Sequence, residues 1–199
     1  MSASAAPVVQ APTAANWPFV PIFVRTATTH RPIGPTAFDC VTLIFVRSGS
    51  AILMSEFGER PVSVGDVVAL GANTLYASEP EDWITATTVF LDRDYLVDQV
   101  FWQHAAILAD RLDAQDFMER VYAEPAQILR LGEDRAGMLM PWLDELAALS
   151  VTGPGPEHFY RMQALLSRRC AGDRAGSGRA DRARRQSDPS SSRHGRSRW

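Results

Sequence analysis

Short apolar segments separated by turn residues make up the first half of the chain. Cys40–Arg47 (CVTLIFVR) is mostly apolar and rich in β-branched residues, which predicts a strand buried on both faces, and the Ser48-Gly49 pair predicts a hairpin turn after it. Further strands are predicted, in chain order, at Ser50–Phe57, 60–64, 66–70, 74–78 and Trp83–Leu91. Turn residues at intervals of about 8–12 positions are typical of an antiparallel sandwich or barrel.

The hydrophobic period changes from strand-like to helix-like after Leu91. Asp92 is a candidate N-cap for a helix over 93–108, in which Leu96, Val100 and His104 lie on one face. Further helices are predicted at 113–123, 133–149 and 157–167, with a brief strand at 127–131 that would close against the barrel. In the third helix, Pro141 predicts a late start or a kink. The predicted fold class is α+β, an antiparallel β-barrel followed by an α-helical region.

Composition divides the chain into four segments. Residues 1–16 are rich in Ala, Pro and Ser, which predicts a disordered leader. We assign the barrel to residues 17–91 and a helical dimerisation or linker region to residues 92–167. Residues 168–199 form an Arg-rich tail.

The tail differs sharply from the rest of the chain. It carries ten Arg and three Asp (net +7) and no Val, Ile, Leu, Met, Phe or Tyr, whereas residues 1–167 carry ten Arg and twenty acidic residues (net −10). Such a segment cannot bury a core, so we expect it to be disordered. One interpretation is an arm that binds nucleic acid without sequence specificity. The favoured interpretation is a shifted reading frame, because a GC-rich gene translated out of frame yields mainly Arg, Gly, Ser and Ala.

The remaining composition excludes several classes of protein. All twenty basic residues are Arg, which excludes Schiff-base lysine chemistry and the lysine of a phosphate-binding P-loop. Cys40 and Cys170 are far apart and form no disulfide framework, which suits a reducing compartment. The first residues lack the pattern of a signal peptide, and no segment approaches the ~18 apolar residues of a membrane span. We therefore expect a cytoplasmic protein.

Residue types that carry catalytic chemistry are not grouped in the sequence. The four histidines (His30, His104, His158 and His194) are far apart, and no His-x-His, GxSxG, HExxH, CxxC or GxGxxG stretch occurs. We therefore expect no metal, no cofactor and no enzymatic activity. A barrel interior is still a natural pocket for a small molecule. Its candidate lining residues, each of which also suits an ordinary core position, are Phe45, Tyr76, Trp83, Tyr95 and Trp102.

Three stretches resemble the N-terminal region of AraC-type transcriptional regulators. Pro61–Pro80 (PVSVGDVVALGANTLYASEP) is similar to the cupin-like sequence of strand, Gly-Asp, strand and turn in that family. Val89–Ala105 resembles the passage from the last barrel strand into the first helix, and Leu112–Gly132 resembles the part that follows. The resemblance covers about residues 17–167, and the chain has Tyr76 where metal-binding cupins have histidine.

The resemblance implies an effector-sensing and dimerisation module. In such a regulator, a small-molecule effector enters the barrel and changes the geometry of a homodimer, which alters how the protein engages promoter DNA. The family also implies a C-terminal domain with two helix-turn-helix units, which residues 168–199 cannot form. We therefore expect a truncated or frame-shifted regulator whose own specific binding to promoter DNA is doubtful.

The predicted homodimer interface is an apolar stripe on the third helix, formed by Leu139, Leu143 and Leu146. This stripe has no evident partner within the chain, and such surfaces typically bind a second subunit. Two alternatives to the regulator remain open: a small cupin-fold enzyme, and a stand-alone module that dimerises or binds a ligand.

Overall fold

The computed structural model describes residues 20–55, 58–121, 124–152 and 155–167. The strands in these ranges are β1 (Ile22–Thr29), β2 (Ile33–Thr36), β3 (Val41–Ser48), β4 (Ser50–Ser55), β5 (Gly58–Ser63), β6 (Asp66–Leu70), β7 (Tyr76–Pro80), β8 (Ile84–Leu91) and β9 (Ala126–Arg130). The helices are α1 (Arg93–Gln103), α2 (Arg111–Val121), α3 (Glu133–Thr152) and α4 (156–167). The leader and the tail, both predicted to be disordered, lie outside the described residues.

The strands form two antiparallel sheets. One has the order β1-β8-β3-β6-β9 and the other the order β2-β7-β4-β5. The first eight strands alternate between the two sheets except for the hairpin of β4 and β5, which is the strand order of a jelly roll, the architecture of cupins. The predicted α+β class, with a cupin-like antiparallel barrel followed by helices, is confirmed.

The predicted hairpin turn at Ser48-Gly49 is wrong. Strands β3 and β4 do not pair with each other, because the turn carries the chain from the five-stranded to the four-stranded sheet. Gly49 has a φ of 78°, and a Cβ added there would lie 2.0 Å from the carbonyl oxygen of Trp83. Only glycine combines this backbone conformation with so close an approach.

The central strands of the five-stranded sheet are largely buried on both faces, as predicted for β3. Between the two sheets lies a core formed by Val46, Ala51, Leu53, Val62, Val68, Leu70, Tyr76 and Ile84. On the opposite face lies a second core, formed by Ile22, Val24, Phe45, Val67, Val89, Leu91, Tyr95, Leu143, Leu146, Leu149 and Met162. The second core includes residues of α1, α3 and α4, so the helices cover the outer face of the sheet.

The predicted dimer stripe belongs to this second core. Leu143 and Leu146 are completely buried in the single chain, and Leu139 packs against the same core. The reasoning that the stripe has no partner within the chain was wrong, because its partner is the outer face of the five-stranded sheet. Leu143 and Leu146 are therefore not available to a second subunit in this structure.

Polar contacts attach α3 to the sheet and to α4. The Ser150 hydroxyl accepts a hydrogen bond of 2.9 Å from the backbone N–H of Val24, on the edge strand β1. Arg47 of β3 forms an ion pair of 2.6 Å with Asp144 of α3. The indole N–H of Trp142 donates to a carbonyl of α4 at 3.1 Å. Helices α3 and α4 are therefore fixed to the sheet and share a core with it.

Several local predictions are confirmed and one helix is shorter than predicted. The Asp92 side chain accepts a hydrogen bond from the backbone N–H of Tyr95 at 2.8 Å, so it is the N-cap of α1. Strand β9 pairs with β6 and closes one edge of the sheet. Helix α1 ends at Gln103, because the carbonyl of His104 accepts from the N–H groups of Ile107 and Leu108 in a tight turn. No helix in the described ranges is long and apolar enough to cross a membrane.

Truncating the buried leucines of α3 should destabilise the monomer itself. We expect Leu143→Ala and Leu146→Ala each to lower the free energy of unfolding by about 2–5 kcal/mol, because each leaves a cavity between helix and sheet. Val151→Ala, on the same helix but 86% exposed, should change it by less than about 0.5 kcal/mol. Urea unfolding of the three variants measures the difference, and equal stabilities would contradict the observed packing.

Candidate functional site

The five predicted pocket residues do not come together in the structure. Tyr76 lies between the two sheets, whereas Phe45 and Tyr95 are buried in the second core under the helices. Trp83 is 55% exposed and lies against His30 with ring centroids 4.3 Å apart, and Trp102 is 72% exposed near the end of α1. Of the five, only Tyr76 contributes to the space between the sheets.

Tyr76 belongs to an aromatic cluster that joins the two sheets. Its ring centroid is 6.1 Å from that of Phe38, which lies 5.0 Å from Phe90 in an edge-to-face arrangement. Phe90 in turn is 5.9 Å from Phe23. Because Tyr76 is on the four-stranded sheet while Phe23 and Phe90 are on the five-stranded one, Phe38 bridges the sheets from the segment between β2 and β3. The four rings form one continuous apolar surface.

Two small polar side chains lie next to this cluster. Cys40 and Thr42 are buried, with 6% and 1% of their surface exposed, and the thiol sulfur is 4.0 Å from the threonine hydroxyl. Burial raises the pKa of the Cys40 thiol, and the carboxylates of Asp39 and Asp92 raise it further. The thiol is therefore neutral at physiological pH. We define Phe23, Phe38, Cys40, Thr42, Tyr76 and Phe90 as the interior cluster.

The Tyr76 phenol is the most strongly perturbed acid of this cluster. Burial raises its pKa to about 12, and a negative charge on the neighbouring Cys40 would raise it further. None of the described residues accepts a hydrogen bond from its hydroxyl or donates one to it. The hydroxyl is therefore a neutral group able to bond to a bound molecule.

A tight loop between β6 and β7 positions Tyr76 and Phe38. Asn73 adopts a positive φ of 61°, and its backbone N–H donates to the carbonyl of Phe38 at 2.6 Å. The hydroxyl of Thr74 and the N–H of Gly71 both donate to the carbonyl of Pro125, at 3.2 and 2.7 Å. This loop delays the start of β7 to Tyr76, whereas the sequence predicted a strand from residue 74.

The interior cluster is an apolar site with neutral hydrogen-bonding groups. All six members are uncharged, and burying a charged ligand among them without a partner would be strongly unfavourable. In the part of the chain that the structure describes, no three His, Cys, Asp or Glu side chains are grouped as metal ligands would be. The arrangement suits binding of an uncharged small molecule.

Sequence reasoning missed five of the six members. Alternation along β8 was the available signal, because Ile84 and Phe90 share one face of the strand and Val89 and Leu91 the other. Both faces are apolar, however, so alternation separates them without telling which one faces the second sheet. Phe38 and Cys40 lie outside regular strands and carry no periodic signal.

Comparison with known proteins gives similarities of structure only. Neither a protein-family profile nor a curated protein matches the sequence. Among solved structures, the chain is similar to an apo ToxT variant from Vibrio cholerae, with 11% identity and a TM-score of 0.49 over 74% of this chain and 52% of that one. Wild-type ToxT with a bound unsaturated fatty acid is similar at 12% identity and a TM-score of 0.46, over 76% of this chain and 51% of that one.

A further similarity covers a smaller share of the chain. A cupin superfamily protein from Desulfitobacterium hafniense is 12% identical with a TM-score of 0.35, over 36% of this chain and 67% of that one. The chain thus spans about half the length of the ToxT structures.

The raised pKa of Tyr76 predicts a loss of stability in alkali. Below pH 10 the phenol is neutral in both the folded and the unfolded chain, whereas between pH 10 and 12 it ionises readily only when the chain unfolds. This difference should remove about 2–3 kcal/mol of stability by pH 12. Unfolding by urea at pH 9 and 11.5 should therefore show a smaller alkaline loss for Tyr76→Phe than for wild type. Tyr160→Phe, at a 66% exposed position, should behave like wild type.

The buried thiol predicts slow chemical modification. In a Cys170→Ser background, Cys40 should react with iodoacetamide at pH 7.5 at least about tenfold more slowly in the folded chain than in urea, because burial disfavours the reactive thiolate. Mass spectrometry over a time course measures both rates. Equal rates in the two states would place Cys40 at the surface.

Proposed function

We propose that the chain is the effector-sensing part of an AraC-type transcriptional regulator and that its effector binds at the interior cluster. The observation that carries the proposal is the cluster itself, a buried aromatic surface with neutral polar groups between the sheets of a jelly roll. The resemblance of residues 17–167 to that family supports the regulatory role. No catalytic role is assigned to any residue, and the proposed protein is not an enzyme.

The proposed effector is an uncharged, largely apolar small molecule. It would replace the contacts of Phe38, the one aromatic member on a connecting segment, and would contact the rings of Phe23 and Phe90. The Tyr76 hydroxyl would provide a hydrogen bond that fixes its orientation. This chemistry is derived from the six lining residues of this chain.

Strand β8 would link binding of the effector at the interior cluster to the positions of the helices. Phe90 faces the interior cluster, while Val89 and Leu91 on the same strand face α3 and the second core. Asp92, directly after the strand, caps α1. A displacement of Phe90 by the effector would therefore shift the start of α1 and the residues of β8 that pack under α3.

The proposal includes partners that belong to the regulator as a whole. We retain the predicted homodimer, on a surface other than the buried leucine stripe, together with a cytoplasmic location. Engagement of promoter DNA would require a helix-turn-helix domain of the kind that the family resemblance implies. In this proposal the described residues bind the effector and a second subunit, and they do not read DNA.

An uncharged fluorescent probe tests the proposed site. In a Cys170→Ser background, N-phenyl-1-naphthylamine should bind saturably, at about one molecule per chain with a Kd in the micromolar range, and should slow the modification of Cys40 by N-ethylmaleimide at least about fivefold. Its anionic relative 8-anilinonaphthalene-1-sulfonate should bind at least about tenfold more weakly, because the cluster offers its sulfonate no counter-charge.

A matched variant distinguishes binding of the probe at the interior cluster from binding at the surface. Trp83→Ala removes a half-exposed aromatic residue outside the cluster and should leave binding and protection unchanged. Saturable binding of the probe that leaves Cys40 unprotected, or binding that Trp83→Ala abolishes, would show that the probe binds at the surface and not at the interior cluster. Absence of any saturable binding by uncharged apolar probes would overturn the proposed function.

A further inference from the structure

The outer face of the five-stranded sheet continues beyond the part that the helices cover. Four successive cross-strand pairs of β1 and β8 project from this face: Ile22 with Leu91, Val24 with Val89, Thr26 with Thr87, and Thr28 with Thr85. The first two pairs belong to the second core, whereas the last two carry hydroxyl groups. Thr87 is completely buried, but Thr26 and Thr28 are exposed, so this end of the face is open to solvent.

The threonine hydroxyls are held in place across the two strands. The Thr26 and Thr87 hydroxyls are 2.8 Å apart, and the Thr28 and Thr85 hydroxyls are 2.9 Å apart. In each pair one hydroxyl donates to the other, so the pair retains one further donor and several acceptor positions. Because β-branched side chains have few rotamers, these groups are fixed before any ligand arrives.

This line of side chains ends in an aromatic pair, His30 and Trp83. Their ring centroids are 4.3 Å apart, and Trp83 is 55% exposed. Trp83 precedes Ile84, which is buried between the two sheets, so alternation directs Trp83 to the same face as Thr85. A half-exposed indole ring therefore lies next to neutral polar groups, and it offers a flat apolar surface together with an N–H donor.

An ion pair borders the hydroxyls on the side of α3. Arg47 contacts Asp144 at 2.6 Å and also donates to the Thr87 hydroxyl at 3.4 Å. The Asp144 side chain is 57% exposed, so its carboxylate can still accept hydrogen bonds from a ligand. From Trp83 to Thr87 the strand advances about 14 Å. We define the outer-face row by its open side chains and this bordering ion pair: Thr26, Thr28, His30, Trp83, Thr85, Arg47 and Asp144.

The charges around the outer-face row determine the class of ligand. A nucleotide or another anion would need an unpaired cation, but Arg47 is paired with Asp144. The charged residues that flank the aromatic pair in sequence are one cation and two carboxylates, Arg31, Glu81 and Asp82. Residues 1–167 as a whole carry a net charge of −10, which also disfavours an anion.

The hydroxyls and the indole ring together favour a sugar. A fully apolar molecule would cover the threonine hydroxyls without offering them hydrogen bonds, which is unfavourable. A neutral saccharide matches both parts of the outer-face row, because its C–H face can lie on the Trp83 ring while its hydroxyls exchange hydrogen bonds with the threonines.

We propose that the outer-face row binds a neutral oligosaccharide. One sugar ring lies on Trp83, the next sugars follow β8 past Thr28 and Thr85, and Asp144 accepts a hydrogen bond from a hydroxyl at the far end. This site is on the opposite face of β8 from Phe90 and the interior cluster. It therefore does not rest on the proposed regulatory function.

Fluorine NMR of the full chain labelled with 5-fluorotryptophan tests the proposal. The chain has five tryptophans, and the variants Trp83→Phe and Trp102→Phe assign the signals of these two residues. The probes are cellotetraose, maltotetraose and tetra-N-acetylchitotetraose. At least one of them should shift the Trp83 signal saturably, with a Kd of about 1 mM or lower. The signal of Trp102, which is 72% exposed, should not move.

Substitutions in the outer-face row should weaken binding of the same saccharide. Trp83→Ala should raise its Kd at least about tenfold, and Thr28→Val and Thr85→Val should each raise it about threefold or more. Trp102→Ala and Thr36→Val, the second on the four-stranded sheet, are matched controls that should leave the Kd unchanged. Isothermal titration calorimetry measures these values, and thermal unfolding checks that each variant is folded.

Three results would overturn the proposal. The first is that none of the three saccharides shifts the Trp83 signal at about 20 mM. The second is saccharide binding that persists unchanged in Trp83→Ala. The third is tighter binding of AMP than of any saccharide at the Trp83 signal, which would assign the outer-face row to nucleotides. Binding of N-phenyl-1-naphthylamine at the interior cluster is measured separately, so either proposal can fail without the other.

Discussion

Burial of both faces of the central strands of the five-stranded sheet is the constraint on which the rest of the structure depends. Strands β3 and β8 lie inside this sheet, and their alternate residues contribute to two different cores. Val46 faces the second sheet, whereas Val89 faces the helices, and both are almost completely buried. If α3 were absent, one of these faces would meet water, so the helices are part of the sandwich and not an appendage to it. The buried leucines of α3 follow directly from this requirement.

The same burial of both faces explains which side chains of the central strands can belong to the interior cluster. A side chain on the central strands either packs under the helices, as Phe45 does, or faces the other sheet, as Phe90 and Thr42 do. The second group lies near the point where two connecting segments meet, because the backbone N–H of Asn73 donates to the carbonyl of Phe38 there. The interior cluster therefore combines side chains of strands with side chains of the segments that connect them.

Most of the strands and helices could be predicted from the sequence. What each apolar face packs against could not. Turn residues and β-branched segments located the central strands, and Asp92 marked the start of α1 correctly, because these signals are local. The leucine stripe of α3 was recognised as apolar but assigned to the wrong partner, since a helical pattern says that a face is buried and not what covers it. The same applies to Phe45 and Tyr76. Both are aromatic residues in predicted strands, but Phe45 packs under the helices, whereas Tyr76 lies between the two sheets. The sequence also gave no sign that the turn at Gly49 changes sheets, because the backbone approach to Trp83 arises only in the folded chain.

Helix α1 connects the strand that carries Phe90 to the exposed end of the helical hairpin. It starts directly after β8, where Asp92 caps it and Tyr95 packs against Phe159 in the second core, and its last turn carries the exposed Trp102. Eleven helical residues span about 16 Å, so under the proposed function a shift of β8 caused by the effector would displace both ends of α1 together. Under the proposed function, this makes effector binding and self-association linked equilibria. If the effector changes the affinity of two copies for each other, then association must change the affinity for the effector by the same factor. The linkage needs no movement of α3, whose burial in the second core keeps it fixed to the sheet.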